Sequence, residues 1–398
     1  MKKIVIIFVL LFLPILGGCW DKREVNELSI AVALGIDKNE EKGYMVSVQV
    51  LNTAEVAPSA IGGGGGYDTP VTTYSSSGEI LFEALRKLTQ QVPHKIYLAH
   101  LRMIVIGEEI AREGIYESLD FLAREPTMRN DFYIVVSKDC NAKDVLQVLT
   151  NTEKIPADML FDSLSDSSKN WAATSKVTLM DLINDISEQG TQPTLTAAKI
   201  LGNYKNGDNI ENIQSIIPKT QLSFDGMAAF QKDKLIGWLD ENESKGLNYI
   251  KGKVQNTIIV TNIENNLAGV ELLSSKSDVV PQFFDNGPPL IQIKISGVAN
   301  LAEVNKSLNF FEGNIFSKLE ENTNEEIKKI IIKTIEKSQN TYREDIFGFG
   351  NILYKKNPKE WRKIKEDWKD LYPNIKVEVV VDIKLKQIGA IKNLSNKK

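Results

Sequence analysis

The chain has 398 residues, with 52 acidic against 48 basic side chains, a formal net charge of −4 that lacks the cationic excess nucleic-acid binding draws on. Its 42% hydrophobic and 25% charged content is that of a globular chain with room for more than one core, which sets aside wholesale disorder and a polytopic membrane protein. Two cysteines and two histidines leave little for a disulfide framework, a zinc cluster or a histidine-based catalytic centre, so no metal or other cofactor is expected.

Lys2 and Lys3 precede an uncharged apolar run over residues 4–16, and Gly17, Gly18 and Cys19 follow. This is the layout of an export signal. As a helix the run would reach about 20 Å, short of the roughly 30 Å hydrocarbon core that a permanent span must cross. Leu16-Gly17-Gly18-Cys19 resembles the lipobox of bacterial lipoproteins, which implies removal of residues 1–18 as a lipoprotein signal peptide and a diacylglyceryl group on the Cys19 thiol. Two acyl chains suffice for stable anchoring. An incidental cysteine behind an ordinary cleavage site is the competing reading. With Cys19 lipidated, Cys140 has no disulfide partner, and its place just past the apolar run 132–136 predicts a packed strand-end residue rather than a nucleophile.

Residues 28–34 form an apolar strand, and Tyr44, Val46, Val48 and Val50 alternate with Met45, Ser47 and Gln49 in the period of a half-buried strand. The polar turn 37–43 between them predicts a hairpin. The stretch 58–78, with glycine throughout 62–66 and Ser75-Ser76-Ser77 further on, predicts a flexible excursion; Tyr67 breaks a GxGxxG pattern. Ser76 and Glu79 have the spacing of a capping box for a helix that buries Ile80, Leu81, Ala84, Leu85 and Leu88. Strands at 101–106 and 132–136 flank a helix over 107–124 interrupted near Gly114, and helices follow at 142–149, 157–165 and 178–189. Weak periodicity over 203–220 predicts the main boundary. The expected organisation is a signal peptide at 1–18, an N-terminal α+β region at 19–202 in one or two units, a linker at 203–219 and a C-terminal α+β domain at 220–398.

Beyond the boundary a hairpin is predicted over 226–239, turning at 231–234, with strands at 257–260, 270–273 and 290–295. Thr323 and Glu326 are spaced to cap a long helix whose buried stripe runs Ile327, Ile330, Ile331, Thr334, Ile335, Ser338 and Tyr342. Pro358 opens another helix that turns Trp361, Ile364, Trp368 and Leu371 inward, and Val377, Val379, Val381, Ile383 and Leu385 predict a final strand with one wet face. Strands and helices mixed without a regular βα repeat indicate an α+β fold, multi-domain, with mixed β-sheets flanked by helices.

Chemistry-bearing patterns are sparse. His94 and His100 do not have HExxH spacing, and no GxSxG elbow or P-loop occurs. Asp240, Glu241 and Glu243 could be paired carboxylates, but Asp240 with Glu243 fits a helix cap better, since such charges complement a helix start. Arg124, Glu125 and Arg129 around Pro126 read as a local ion-pair network, with a binding role as the competing reading.

The stretch GCWDKREVNELSIAVALGID, ending at Asp37, resembles the opening of the Ger(x)C family, the C-subunit lipoproteins of bacterial spore germinant receptors. HLRMIVIGEEIAREG from His100, LDFLAREPTMR from Leu119, GMAAFQKDKLIGWLDENESKG from Gly226, and the spacing of Gln339, Asp345, Phe347, Gly348, Phe349, Gly350, Trp361 and Trp368 are similar to further family blocks, in the same order. The resemblance implies a non-enzymatic subunit, lipid-tethered at the outer face of the inner spore membrane, working beside membrane-embedded A and B subunits in nutrient-triggered germination. It implies α+β domains and supplies no catalytic residues; the position it transfers is Cys19, as the lipidation site. Trp20, Arg23 and Glu24 next to the anchor are candidates for contact with the membrane surface or a partner loop, with a plain spacer as the competing reading. The rival functions are a solute-binding lipoprotein that captures the nutrient itself and a lipid-anchored envelope hydrolase, the latter disfavoured by the missing nucleophile and metal patterns.

Overall fold

The computed structural model describes residues 27–41, 43–53, 69–284, 287–305 and 314–388. The signal segment, Cys19, Trp20, Arg23, Glu24 and the glycine run 62–66 lie outside the described residues. The first elements are the expected hairpin, β1 (Leu28–Lys38) and β2 (Tyr44–Leu51), with Lys38 opposite Tyr44. The excursion expected over 58–78 is corrected in its second part. Residues 71–78 are strand β3 (Val71–Gly78), antiparallel to β2, because its short hydroxyl side chains find partners there, Ser75 Oγ lying 2.8 Å from Ser47 Oγ.

Strand β2 is also more buried than its alternation predicts. Ser47 and Gln49 are covered as fully as the valines between them, and the Gln49 amide donates to the Leu146 carbonyl at 2.7 Å. A helix packed over that face replaces water.

Helix α1 (Leu81–Lys87) follows without a side-chain cap: Ser76 belongs to β3, and the Glu79 N–H goes to the Glu83 carboxylate at 2.8 Å. Then come β4 (Lys95–Tyr97), β5 (Met103–Ile106), α2 (Glu108–Glu113), α3 (Tyr116–Arg124), β6 (Tyr133–Ser137), α4 (Ala142–Gln147), α5 (Pro156–Asn170), α6 (Leu179–Ser187) and β7 (Thr194–Gly202). Helix α7 (Ile210–Gln214) leads to the hairpin β8 (Thr220–Gln231) and β9 (Lys234–Leu239). The sheet order is β3-β2-β1-β5-β6-β7-β8-β9, with β4 on the end of β1; β1, β5, β6 and β7 are parallel and the flanks antiparallel. The segment 203–219 connects β7 to β8, neighbours in this one sheet, and buried Asn212 ties it down by donating to the Leu149 and Thr220 carbonyls.

The second sheet follows α8 (Glu241–Ile250) and has the order β10-β11-β12-β13, from β10 (Thr257–Ile263), β11 (Asn266–Gln282), β12 (Leu290–Val304) and β13 (Lys376–Ile388), the last pairing parallel to β12. Helix α9 (Ile315–Glu336) packs on it through Leu319, Ile327, Ile331 and Ile335. It begins earlier than its capping signal. Thr323 is buried in mid-helix, where its hydroxyl donates back to the Leu319 carbonyl at 2.7 Å. Helices α10 (Phe349–Lys356), α11 (Pro358–Ile364) and α12 (Trp368–Leu371) lead into β13.

Side chains close exposed sheet edges against strand addition. Along β13, the N–H groups of Ile383 and Leu385 donate to Asn324 and Glu320 of α9. On β3, the carbonyls of Ser75 and Ser77 accept from Gln91 and Lys87. On β9, the Trp238 carbonyl accepts from Lys337 and Tyr342.

One buried carboxylate sets the second half against the first. Asp345 Oδ1 accepts the N–H groups of Gly348 and Phe349, at 2.9 and 3.1 Å, and Oδ2 accepts those of Gly350 (2.8 Å) and the Trp368 indole (3.2 Å). The turn so formed carries its backbone onto the strand entering β7: the Gln192 N–H donates to the Asp345 carbonyl and the Asn351 N–H to the Gly190 carbonyl. Only glycines allow this approach. A Cβ on Gly350 would stand 2.5 Å from the Gly190 Cα and 2.7 Å from the Trp361 ring. Beside it, buried Glu344 accepts from both Gln192 and Gln231.

Burial pushes the Asp345 carboxyl up to about 6, against the pull of its N–H donors. The folded protein therefore holds a proton that an ordinary carboxyl near 3.8 gives up. The stability this confers is present at low pH and lost as pH rises through the folded value. Asp345→Asn, which turns an amide N–H₂ toward these donors, is expected to lower unfolding free energy by about 2–4 kcal/mol in urea titrations at neutral pH. The gap between parent and variant should widen as pH is lowered toward about 4, because the parent alone gains from the retained proton; a gap that shrinks on acidification contradicts the assignment.

Candidate functional site

The groups that could carry chemistry are mostly committed to the fold. Asp240 and Glu243 form the capping box of α8, each carboxylate accepting the other's backbone N–H at 2.8 Å. Glu243 is buried beneath Lys337, whose ammonium lies 2.5 Å away, and Lys333 reaches Asp240 at 3.3 Å. The Asp240 carboxyl is held below its usual range: burial works against ionisation but the Glu243 N–H and Lys333 prevail. Asp37, one residue before the end of β1, lies beneath α4, accepting the Ala142 and Lys143 N–H groups at 2.7 and 2.8 Å, and burial lifts its carboxyl to about 6. It acts as a helix cap supplied from a distant strand.

Cys140 fulfils the packing role read from its position. Burial pushes its thiol up to about 12, far from a reactive thiolate, and it packs with the core that includes Val145 and Ala198. His94 is exposed with a left-handed backbone (φ 67°), and His100 rests edge-on to Tyr97. Among the described residues, no three His, Cys, Asp or Glu side chains gather as metal ligands.

Among the open features of the described residues is a groove. It lies between α1 and α3, over the end of β2, and encloses about 680 Å³. Its floor is Leu81, Leu85, Leu98 and Phe121, while Ile80, Phe82 and Tyr116 stand at its rim 60%, 45% and 64% exposed. At one mouth the Tyr44 hydroxyl donates to the Glu117 carboxylate; at the other lie Lys95, Ile96, Pro126 and Thr127.

The family block around Pro126 thus forms part of a groove wall. The ion-pair network expected among Arg124, Glu125 and Arg129 is corrected: Arg124 pairs with Asp120 at 2.8 Å, Arg129 with Asp131 at 3.4 Å, and Glu125 accepts from the Thr127 hydroxyl at 2.7 Å. Each side chain turns to a nearer partner on its own turn of chain. Sequence reasoning assigned Ile80 to the buried face of α1 and did not find the groove. The available signal was the run Ile80-Leu81-Phe82, since consecutive apolar residues at a helix start point in different directions and cannot share one buried face.

No helix among the described residues is long and apolar enough to cross a membrane. Residues 21–200 match the sequence model of the family described as "Spore germination protein N-terminal domain", and residues 225–389 match that of "Spore germination B3/ GerAC like, C-terminal". Spore germination protein KC of Bacillus subtilis (strain 168) is 30% identical over 397 residues, covering 98% of this chain and 97% of that protein. Spore germination protein B3 of the same organism is 22% identical, covering 98% of each. A crystal structure of the GerBC protein has a TM-score of 0.55 at 19% identity, covering 93% of this chain and 100% of that one, a likeness of fold. From end to end of both its sheets, the chain belongs to the Ger(x)C family of spore germination proteins.

Proposed function

We infer that this protein is the lipid-anchored, non-enzymatic C subunit of a spore germinant receptor. Cys19 carries a diacylglyceryl group after removal of residues 1–18, and the body is held at the outer face of the inner spore membrane beside the A and B subunits. The observation that carries the reading is the match to spore germination proteins over 98% of the chain, in a sequence where Leu16-Gly17-Gly18-Cys19 closes the leading apolar run. The physical gain from the tether is concentration. Confining the body near a bilayer turns its encounter with membrane-embedded partners into a nearly intramolecular event, which raises avidity without any new contact. The chemistry agrees with a binding role: the perturbed carboxyls Asp37 and Asp345 hold backbone N–H groups, and the Cys140 thiol is kept protonated. Trp20, Arg23 and Glu24 would sit at headgroup level, where an indole is at home.

Cys19→Ala is expected to move the protein from the spore membrane to the soluble fraction, to abolish its co-purification with the A and B subunits, and to slow nutrient-triggered germination at least about tenfold. The fractionation is checked by immunoblot and the modification by intact mass. A variant that stays in the membrane with its partners, or a parent whose Cys19 carries no added mass, contradicts this function.

A further inference from the structure

Residues 355–365 carry six basic side chains and one acidic, in a chain whose formal net charge is −4. The fold gathers part of that excess around a cleft of about 470 Å³. One wall is the corner where α10 turns into α11, with Tyr354, Lys355, Pro358, Arg362 and Lys365; the other is Glu188 and Gln189, just before β7. The corner is built by Asn357, whose side chain accepts the Lys359 and Glu360 N–H groups and starts α11 at Pro358, so that Trp361 turns inward and Arg362 outward. Gln189 adjoins Gly190 and Asn351 adjoins Gly350, so the cleft lies on the joint that Asp345 makes between the two sheets.

The cleft is positive by count. Lys355, Arg362 and Lys365 stand against Glu188 alone, and Glu188 keeps its charge while accepting from the Asn351 amide. Lys365 pairs at 3.1 Å with Glu366, whose side chain is 82% exposed beyond the lining; counted in, it still leaves three cations to two anions. The neighbouring recess, which shares Lys355 and adds Lys356 against Asp278, has the same sign. Among the described residues Lys355 forms no ion pair, and the Arg362 guanidinium bonds the Pro358 carbonyl of its own helix at 3.1 Å and no carboxylate. Lys355 and Arg362 are exposed, and exposed ion pairs are individually weak. A lone anion is not held by them. A segment that meets several cations, and lays an apolar side chain against the half-exposed Tyr354 ring and Pro358, gains from each contact. A bilayer surface is too broad to enter a recess between two walls.

The geometry points to this cleft as the docking site of an acidic segment of a protein partner, its carboxylates meeting Lys355, Arg362 and Lys365 and an apolar side chain lying against Tyr354. Complementary charge steers such an encounter and fixes its register. In the function proposed above the partner is one of the membrane-embedded subunits, and in that respect the inference rests on that reading. The partner then bears on both sides of the joint at once, on Glu188 and Gln189 from the first sheet's side and on α10 and α11 from the second's.

The test is affinity purification of the tagged full chain from detergent-solubilised spore membranes, with immunoblots for the A and B subunits. Lys355→Glu/Arg362→Glu is expected to bring down at least about tenfold less of them than the parent, and Tyr354→Ser several-fold less. Recovery by the parent should fall as salt is raised from about 0.1 M toward 1 M, where the screening length drops from about 10 Å to about 3 Å. Lys205→Glu/Lys219→Glu, an equal change of charge at exposed sites in the 203–219 segment, should recover the subunits as the parent does. All the substituted side chains are exposed, and unchanged thermal unfolding verifies the fold of each variant. Full recovery by either cleft variant, equal loss in the control, or a parent indifferent to salt overturns the proposal. So does flotation of the unlipidated chain from Trp20 onward with phosphatidylglycerol vesicles that Lys355→Glu/Arg362→Glu abolishes, which assigns the cleft to lipid, or self-association of the purified parent that this variant abolishes, which assigns it to a second copy. A parent that brings down neither subunit overturns the function proposed above and the site's partner with it, whereas a parent that brings them down beside an equally competent cleft variant overturns this site alone.

Discussion

The arrangement of this protein depends on how Asp345 is satisfied. A carboxyl group taken fully out of water must be met by donors or keep its proton, and Asp345 does both in part: backbone and indole N–H groups converge on it while burial holds its proton affinity up. The consequence is geometric. Three consecutive amides are drawn around one side chain, which fixes the turn 345–350, and that turn presses against Gly190 at the entrance to β7. Trp361 and Trp368, edge to face at 5.4 Å, pack behind it. The two sheets are thereby joined through backbone rather than through a flexible connection.

The same economy governs the other buried acids. Asp37 holds the start of α4, Glu344 gathers two glutamine amides from the first sheet's side, and Glu243 caps α8 while pairing with Lys337 of the segment after α9. Side chains that elsewhere would be acid or base catalysts are here bound to N–H groups and ammonium ions. With sheet edges stopped by Lys87, Gln91, Asn324 and Glu320, a surface that still offers apolar area in a concave shape is the groove beside α1.

Much of this architecture is legible in the chain, and the parts that are not have common causes. The hairpins at 28–51 and 226–239, the helix break at Gly114 and the cap at Asp240 follow from local periodicity and spacing, and local rules suffice for them. The reading of 71–78 as loop failed because serine and threonine act as strand residues when hydroxyl partners lie across from them, a fact about β2 rather than about β3. Ser47 and Gln49 look solvent-facing until α4, about a hundred residues away, is laid over them. Thr323 has the signature of a helix cap, but apolar Ile315 and Leu319 let the helix begin two turns sooner. The Asp345 turn was visible as a family block and its role was not, since its partner Gly190 is remote in sequence. The groove, likewise, is a product of two helices that meet only in the fold.

Hydrogen exchange at single residues probes the joint between the sheets most directly. If Asp345 holds the turn as described, the amides of Gly348, Phe349 and Gly350 are released only by global unfolding, and their opening free energies match those of central-strand amides such as Ile104 and Val135. Exchange of these three amides through a local opening several kcal/mol cheaper than global unfolding, with the strands still protected, would contradict the account.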